Sequence, residues 1–187
     1  IGIKNIGINV NNGSITVNEL NQTNINSIYA VGDVTGPPWL AHVASAQGII
    51  AAEHIAGITP NPINYSNIPS CTYCYPEVGS IGLTEEKAID AGYDVKVGRF
   101  FLKANGKSMA TGETNGLLKL IFESKYGELI GAHIVGSNAT ELIGELGIAM
   151  SLEARWEDLA FQIHAHPTLS EAIMEASMDA FSSSIHQ

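Results

Sequence analysis

The densest run of potential catalytic side chains is His164-Ala-His-Pro-Thr-Leu-Ser-Glu171. A histidine titrates near neutral pH and can take a proton from a thiol, while a nearby carboxylate can orient the ring and stabilise the imidazolium. We therefore take His166 and Glu171 as a candidate acid-base pair. The proline after His166 predicts a fixed turn, with a cis peptide as one option. The alternative stays open that Glu171 only secures a helix start, because Thr168 and Glu171 match a capping box by themselves.

A second candidate site is Gly32-Asp33, which follows the apolar segment Ile28-Tyr-Ala-Val31 and precedes a Gly/Pro turn and a helix. Proteins of α/β architecture bind ligands at such strand ends. Asp33 can accept a hydrogen bond from a sugar hydroxyl. The amides of the helix that begins near Leu40 suit an anionic or electron-rich ring atom. In the alternative interpretation, Asp33 simply caps the turn into that helix.

The two cysteines, Cys71 and Cys74, form a Cys-Thr-Tyr-Cys sequence that invites a redox interpretation. Redox Cys-x-x-Cys pairs gain a low thiol pKa from a helix N-terminus, and the surrounding residues here predict a strand instead. We therefore interpret both as structural or incidental thiols. A zinc site with His164 and His166 would miss the usual ligand spacings, so no metal site is predicted.

The elements around residues 1–63 are a predicted hairpin, strand and helix. Apolar residues alternate at 6–10 and 14–17 on either side of Asn-Asn-Gly, which favours the hairpin. The apolar residues 28–31 predict the buried strand. The Ala-rich segment 39–57 predicts a helix closed by a glycine. Three prolines at 60, 62 and 69 then indicate a linker, and we place a domain boundary near residue 63.

Residues 64–187 predict mixed strands and helices, an α+β arrangement in which one sheet carries helices. Strands are expected at 78–83, 95–102, 116–122 and 129–135. Thr84 is the N-cap candidate of a helix that Gly92 ends. Asn138 and Glu141 form a capping-box pattern for a helix to about Leu152. Shorter helical stretches are expected at 156–161 and 168–181.

The composition excludes several partner classes. A formal net charge of −10, with nine Lys and Arg in 187 residues, disfavours nucleic acid and membrane surfaces. No stretch reaches the roughly 18 consecutive apolar residues of a spanning helix. Two cysteines are too few for a secreted disulfide framework, which favours a reducing, cytoplasmic compartment. We interpret the start at Ile1, without methionine or signal pattern, as a processed or truncated end.

Three segments of the chain resemble the pyridine nucleotide-disulfide oxidoreductases. Residues 28–34, with 40–42 and the helix that follows, look like the second flavin-binding segment of that family. The run from His164 to Glu171 resembles the active-site motif of its dihydrolipoamide dehydrogenases. Pro76-Glu-Val78 and Gly82-Leu-Thr-Glu85 fit its interface domain. The resemblance implies that residues 1–63 are the C-terminal segment of an FAD-binding domain and 64–187 an interface domain for dimerisation, with an antiparallel sheet and helices.

The resemblance implies cofactor contacts in the first of these segments. Gly32 and Asp33 would bind FAD, with the Asp33 carboxylate hydrogen-bonded to the ribityl chain. The backbone around Leu40, Ala41 and His42 would approach the pyrimidine side of the flavin ring.

The resemblance also implies a reaction and partners. His166, oriented by Glu171, would deprotonate a dihydrolipoyl thiol, and the thiolate would attack the redox disulfide of the opposite subunit. Electrons would pass through FAD to NAD. The implied partners are a second copy of the chain, in a homodimer, and the lipoyl domains of 2-oxo acid dehydrogenase complexes. The implied compartment is the cytoplasm, or the mitochondrial matrix in a eukaryote.

The chain departs from the family pattern in what it lacks. It contains no Gly-x-Gly-x-x-Gly fingerprint after a strand, no Cys-x4-Cys redox pair and no separate NAD domain. Tyr75 stands where many family members have Thr or His. We therefore expect a C-terminal part that does not catalyse the whole reaction alone. The rivals are another flavoprotein disulfide reductase and a non-enzymatic dimerisation module whose helices bury Ile148, Leu152 and Leu159.

Overall fold

The computed structural model describes residues 2–182 and 184–186, and it describes Lys4 without its side chain. The chain divides into two compact units. The first unit ends at Tyr65, and the second begins at Ser66. Helices and an antiparallel sheet confirm the predicted α+β class. The assignment of residues 1–63 to an FAD-binding domain and 64–187 to an interface domain stays a prediction.

The first unit begins with a 3-10 turn, Ile3–Ile6, followed by a two-stranded hairpin of β1 (Val10–Asn11) and β2 (Ser14–Ile15). Asn12 and Gly13 form its two-residue loop with φ of 48° and 85°, the left-handed conformation that such tight hairpins require. The predicted hairpin is confirmed, but its first strand is shorter than 6–10 because the preceding residues form the 3-10 turn.

The segment 28–31 is extended but is not the buried strand that we predicted. Its pairing is a single bridge between Gln22 and Tyr29, flanked by a hydrogen bond from the Ala30 N–H to the Asn21 carbonyl. Asn21 has a φ of 59°, so the neighbouring segment turns away and no ladder can extend. Val31, at the end of this segment, is exposed.

The helix of the first unit is α1 (Ala41–Ile55), which confirms the prediction with two residues fewer at each end. Alanine favours the helix, and Leu40 precedes it in an extended conformation without a side-chain cap. Gly57, with a φ of 77°, provides the left-handed conformation at which the chain leaves the helix. The buried face of the helix consists of Val43, Gln47, Ile50 and Ala51.

A five-stranded antiparallel sheet organises the second unit, with the spatial order β3-β4-β7-β6-β5. Its strands are β3 (Ser70–Thr72), β4 (Glu77–Gly82), β5 (Val95–Phe101), β6 (Leu117–Glu123) and β7 (Leu129–Gly136). The four predicted strands are confirmed to within one residue at each end. The strand predicted around the two cysteines is confirmed in part by the short edge strand β3, which ends before Cys74.

Five helices accompany this sheet: α2 (Glu85–Asp90), α3 (Gly106–Thr111), α4 (Ala139–Ser151), α5 (Trp156–Ala160) and α6 (Glu171–Asp179). Thr84 caps α2 as predicted, because its hydroxyl accepts a hydrogen bond from the Lys87 N–H at 3.2 Å. Helix α3 was not predicted. The buried Asn105 caps it by accepting from the Ser108 N–H at 2.9 Å.

The capping box predicted at Asn138 and Glu141 is wrong. Asn138 has a φ of 57° and makes no side-chain cap. The Glu77 carboxylate of β4 instead accepts hydrogen bonds from the N–H and the hydroxyl of Thr140, at 3.1 and 2.8 Å. A tertiary contact therefore satisfies the start of α4, which short-range spacing cannot reveal.

Helices α4 and α6 cover one face of the sheet and enclose the core. Fully buried side chains there include Leu118, Leu120, Phe122, Ile134, Leu146 and Ile173. Burial of each such side chain contributes roughly 1.5–3 kcal/mol. Helix α6 lies against Gly98 of β5 so closely that a Cβ added there would be 1.8 Å from the Ala176 carbonyl oxygen. The absence of a side chain at Gly98 thus sets how near α6 lies to the sheet.

None of the helices in the described part of the chain is long and apolar enough to cross a bilayer.

Candidate active site

His166 and Glu171 form a hydrogen-bonded pair in the second unit. The His166 Nδ1 lies 2.8 Å from the Glu171 Oε1, and the His166–Pro167 peptide is cis. A carboxylate only accepts hydrogen bonds, so Nδ1 carries a proton and the neutral ring keeps its lone pair at Nε2. The His166 side chain is 76% exposed, so this ring can meet a molecule from outside the chain.

The Glu171 carboxylate performs both of the tasks that the sequence left open. Its second oxygen accepts from the Thr168 N–H at 2.8 Å, which is half of a capping box. The other half is missing, because the Thr168 hydroxyl donates to the Ala165 carbonyl instead. Burial raises the pKa of Glu171, but the hydrogen bonds from Thr168 and His166 and the charges of His166 and His164 outweigh it and leave the pKa below its ordinary value.

This lowered pKa predicts a pH-dependent contribution of Glu171 to stability. Its stabilising effect is present above the ordinary value of 4.5 and is lost as the pH falls through the lower folded value, because the proton then displaces both hydrogen bonds. Glu171→Gln should therefore lower the urea midpoint of unfolding at pH 7, and the difference from wild type should shrink as the pH falls below 4.5. A difference that is constant over this range would contradict the prediction.

A cavity of about 220 Å³ lies beside the pair. Its apolar lining includes Phe100, Met109 and Met174, and polar groups of Asn105 and His186 also reach it. The Cε1 of His166 is 3.8 Å from a Cβ added at Gly106, so the backbone of α3 closely approaches the imidazole ring. The site thus combines an exposed acid-base group with adjacent apolar surface.

Helix α6 carries a second carboxylate that binds a histidine, one turn after Glu171. Glu175 is 3% exposed, and its oxygens accept from the N–H groups of Ile185 and His186 at 3.1 and 3.2 Å and from the His186 ring at 2.5 Å. Donors from residues 185 and 186 therefore satisfy the oxygens of this buried side chain. Sequence reasoning missed this contact, since nothing in the local pattern marks the donors.

His164 lies close to His166 in sequence but belongs to a different pair. Its Nε2 is 2.8 Å from the Glu145 Oε1 of α4, and its side chain is only 7% exposed. Sequence reasoning placed His164 in the run of potential catalytic side chains and did not foresee its partner. The spacing of residues within a loop gives no information about a contact with a residue 19 positions away in sequence.

The predicted cofactor residues lie in the first unit, around a 3-10 turn at Gly32–Thr35 that contacts α1. The Gly32 N–H donates to the Oε1 of the buried Gln47 at 2.7 Å, which fixes the turn against the helix. Gly32 has a φ of 76°, a conformation that suits glycine. Asp33, Ala41 and His42 are exposed, and Leu40 is half-buried.

The two cysteines are not joined in a disulfide. Cys71 is half-buried on β3, and Cys74 is exposed beyond its end. Burial, followed by the charges of Glu77 and Glu141, raises the pKa of the Cys71 thiol, which disfavours the reactive thiolate. No group of three or more His, Cys, Asp or Glu side chains in residues 2–182 and 184–186 is arranged to hold a metal ion.

Curated relatives of the chain are dihydrolipoyl dehydrogenases. The chain is 47% identical to that of Rhizobium etli over 183 residues, which are 97% of this chain and 38% of the relative. It is 46% identical to that of Zymomonas mobilis, over 100% of this chain and 40% of the relative. It is 45% identical to that of Bacillus subtilis, over 100% of this chain and 39% of the relative. The chain thus spans about two fifths of the length of the curated relatives it matches.

Solved structures and family models agree with these relatives. LpdA from Mycobacterium tuberculosis has a TM-score of 0.87 at 28% identity, over 94% of this chain and 39% of that one. The HOCl-induced flavoprotein disulfide reductase RclA from Escherichia coli has a TM-score of 0.87 at 27% identity, over 93% and 40%. A model of the pyridine nucleotide-disulphide oxidoreductase family matches residues 1–48, and a model of the family's dimerisation domain matches residues 68–177. The chain belongs to the pyridine nucleotide-disulphide oxidoreductase family.

Proposed function

We propose that the chain is the C-terminal part of a dihydrolipoyl dehydrogenase, which oxidises protein-bound dihydrolipoamide with NAD. The observation that carries this proposal is the Glu171-oriented imidazole of His166, whose Nε2 is available to a thiol. The 43–47% identity to dihydrolipoyl dehydrogenases supports the choice of substrate class.

His166 would act as the base that starts the reaction. Its Nε2 takes the proton from one thiol of the dihydrolipoyl group, and Glu171 stabilises the imidazolium that forms. The thiolate attacks one sulfur of a redox disulfide, which breaks the S–S bond and releases the other sulfur as a thiolate. The second substrate thiol then attacks the mixed disulfide, so that the lipoyl disulfide closes and the redox pair is left reduced. In sum the dithiol loses two electrons and two protons, while NAD⁺ becomes NADH and one proton is released. The disulfide and the NAD domain are not in this sequence.

FAD would be bound with the help of Gly32, Asp33, Leu40, Ala41 and His42. The exposed Asp33 carboxylate can accept from a ribityl hydroxyl, and the uncapped start of α1 presents amides toward electron-rich ring atoms. These donors and acceptors fit the polar edge of a flavin. When bound, FAD supplies electron transfer between the redox disulfide and NAD.

A homodimer would complete the active site, with His166 of one protomer serving the disulfide of its partner. The family's dimerisation model and exposed apolar side chains of the second unit support this proposal. Ile148 and Leu152 of α4 are 65% and 75% exposed, whereas Leu159 is buried within the unit itself. Lipoyl domains of 2-oxo acid dehydrogenase complexes would be the partners, in the cytoplasm or, in a eukaryote, the mitochondrial matrix.

A different flavoprotein disulfide reductase is the second candidate, favoured by the similarity to RclA. The two candidates share a flavin and a disulfide and differ in the substrate that exchanges with the disulfide. The reductant or oxidant that the protein accepts therefore separates them.

The proposal is tested on the full-length protein by intact mass, visible absorbance and NADH formation from dihydrolipoamide and NAD⁺. We expect a mass above that of the 187-residue chain, a flavin band and rapid NADH formation. A flavin band with no dihydrolipoamide oxidation would favour the second candidate. The absence of bound flavin from the full-length protein would refute both.

A further inference from the structure

The loop that carries His166 is positioned by side chains rather than by its own backbone. It connects α5 to α6 over residues 161–170. In the described part of the chain, no backbone carbonyl accepts from the amides of residues 162–168, and no backbone N–H donates to their carbonyls. The position of the His166 ring therefore depends on the side-chain contacts that hold the loop.

Contacts on both sides of His166 tie this loop to the helices of the second unit. The buried Asn105 donates through its Nδ2 to the Thr168 carbonyl at 3.0 Å, and Glu171 accepts from the Thr168 N–H. These two contacts fix the side of the loop that follows His166. The side that precedes it is held by His164, whose Nε2 binds Glu145 on α4.

The His164 ring is placed between two acceptors. Its Nδ1 is 3.1 Å from the Gln162 carbonyl, within the same loop, and its Nε2 faces the Glu145 carboxylate on α4. Both groups accept hydrogen bonds, so each ring nitrogen of His164 faces an acceptor. At 7% exposure the ring is shielded from water, and a charge-assisted bond there is stronger than at the surface.

We infer that His164 and Glu145 are positioning residues, which anchor the loop to α4 and so hold the His166 imidazole at its working position. The inference rests on the proposed function for its activity readout. His164 also acts on the pair through its charge. Burial, which raises the pKa of Glu171, is outweighed by hydrogen bonds and by the charges of His166 and His164.

The inference predicts a selective loss of dithiol turnover in variants of the full-length protein. Glu145→Ala removes the anchor at a partly exposed helical position, and His164→Ala removes it from the loop side. Loss of supporting contacts or a misplacement of about 1 Å typically costs 10–100-fold. We expect that loss in kcat for dihydrolipoamide oxidation, with the NADH-dependent reduction of an artificial dye unchanged because it does not need the base.

Two further variants sharpen this test. Glu145→Gln keeps an oxygen that can accept from the His164 Nε2–H and should lose less than Glu145→Ala. The double variant should lose no more than either single one, because the two residues act through one contact. Glu141→Ala, one turn earlier on α4, is the matched control and should keep full activity.

Amide hydrogen exchange provides a readout that does not depend on turnover. In Glu145→Ala the Thr168 N–H, the loop amide that the Glu171 carboxylate binds, should exchange faster than in wild type or Glu141→Ala. Equal exchange in Glu145→Ala and Glu141→Ala, or an equal fall of dye reduction and dithiol oxidation, would overturn the positioning role. Failure of wild type to oxidise dihydrolipoamide would count against the proposed function alone, since the exchange result still decides the anchor.

Discussion

Replacing His166 with glutamine in the full-length protein should lower the rate of dihydrolipoamide oxidation by about 10²–10⁴-fold. Glutamine can still bind the Glu171 carboxylate through its amide, but it cannot take a proton from a thiol. The exposed Nε2 of His166 is the group that is lost. Steady-state NADH formation measures the effect, and NADH-dependent dye reduction by the same variant should stay at the wild-type rate.

This experiment also separates the enzyme from a mere dimerisation module. If the helices after residue 138 served only to join two protomers, the His166 variant would keep its turnover and its oligomeric state. Glu171→Ala provides a graded comparison, because it leaves the base in place but removes its orientation and the partner for its charge. We expect its loss to be smaller than that of His166→Gln, and an unchanged rate in both variants would exclude the acid-base role.

Gly98→Ala should destabilise the second unit by about 3 kcal/mol or more, since overpacking of a tight contact commonly costs about 1–3 kcal/mol and here the obstacle is backbone. The added Cβ would be 1.8 Å from the Ala176 carbonyl oxygen of α6. Neither β5 nor α6 can yield locally, so the helix must move away from the sheet. Urea unfolding measures the loss.

Gly144→Ala is the matched control for this substitution. Gly144 lies inside α4, and a Cβ added there would meet nothing within 4 Å. The same chemical change should therefore stabilise the protein, by about 0.5–1 kcal/mol, because alanine restricts the unfolded chain and favours the helix. Opposite signs for the two variants are the expected result, and a neutral Gly98→Ala would show that α6 is not held at the observed distance.

The elements that the sequence predicted well are those whose signals are local. Alternation marked the four longer strands of the sheet, and Thr84 with its following glutamates marked the start of α2. The residues around Cys71 indicated a strand, which β3 confirms, but three residues carry too little alternation to give its bounds. Helix α3 was not predicted because six residues are too few to show a helical repeat of apolar positions. The role of Asn105 as its cap also depends on the burial of that side chain in the folded protein.

The predictions that failed in the fold required knowledge of neighbours. Residues 28–31 have the composition of a buried strand, yet a strand also needs a partner that stays extended, and Asn21 turns away. The spacing of Asn138 and Glu141 fits a capping box, yet Glu77 from another strand satisfies that helix start. The local sequence predicts the observed structure in most of the chain, and tertiary contacts override it at these positions.

The candidate site was predictable in part for the same reason. His166 and Glu171 are five residues apart and flank one helix start, so their contact follows from short-range geometry. The His164–Glu145 contact joins residues 19 apart across two helices, and the Glu175 contacts bring in residues beyond the end of α6. Such contacts depend on how α4, α5 and α6 pack on the sheet, which no spacing rule encodes.

Two of the carboxylates of α6, Glu171 and Glu175, also decide which shortened versions of the protein remain stable. Glu171 faces the loop before the helix, and the buried Glu175 binds the amides of residues 185 and 186 after it. Deletion of these residues would leave a buried carboxylate without its donors, at a cost of several kcal/mol in the same helix that orients His166. Any shortened version made for expression should therefore keep residues 185 and 186.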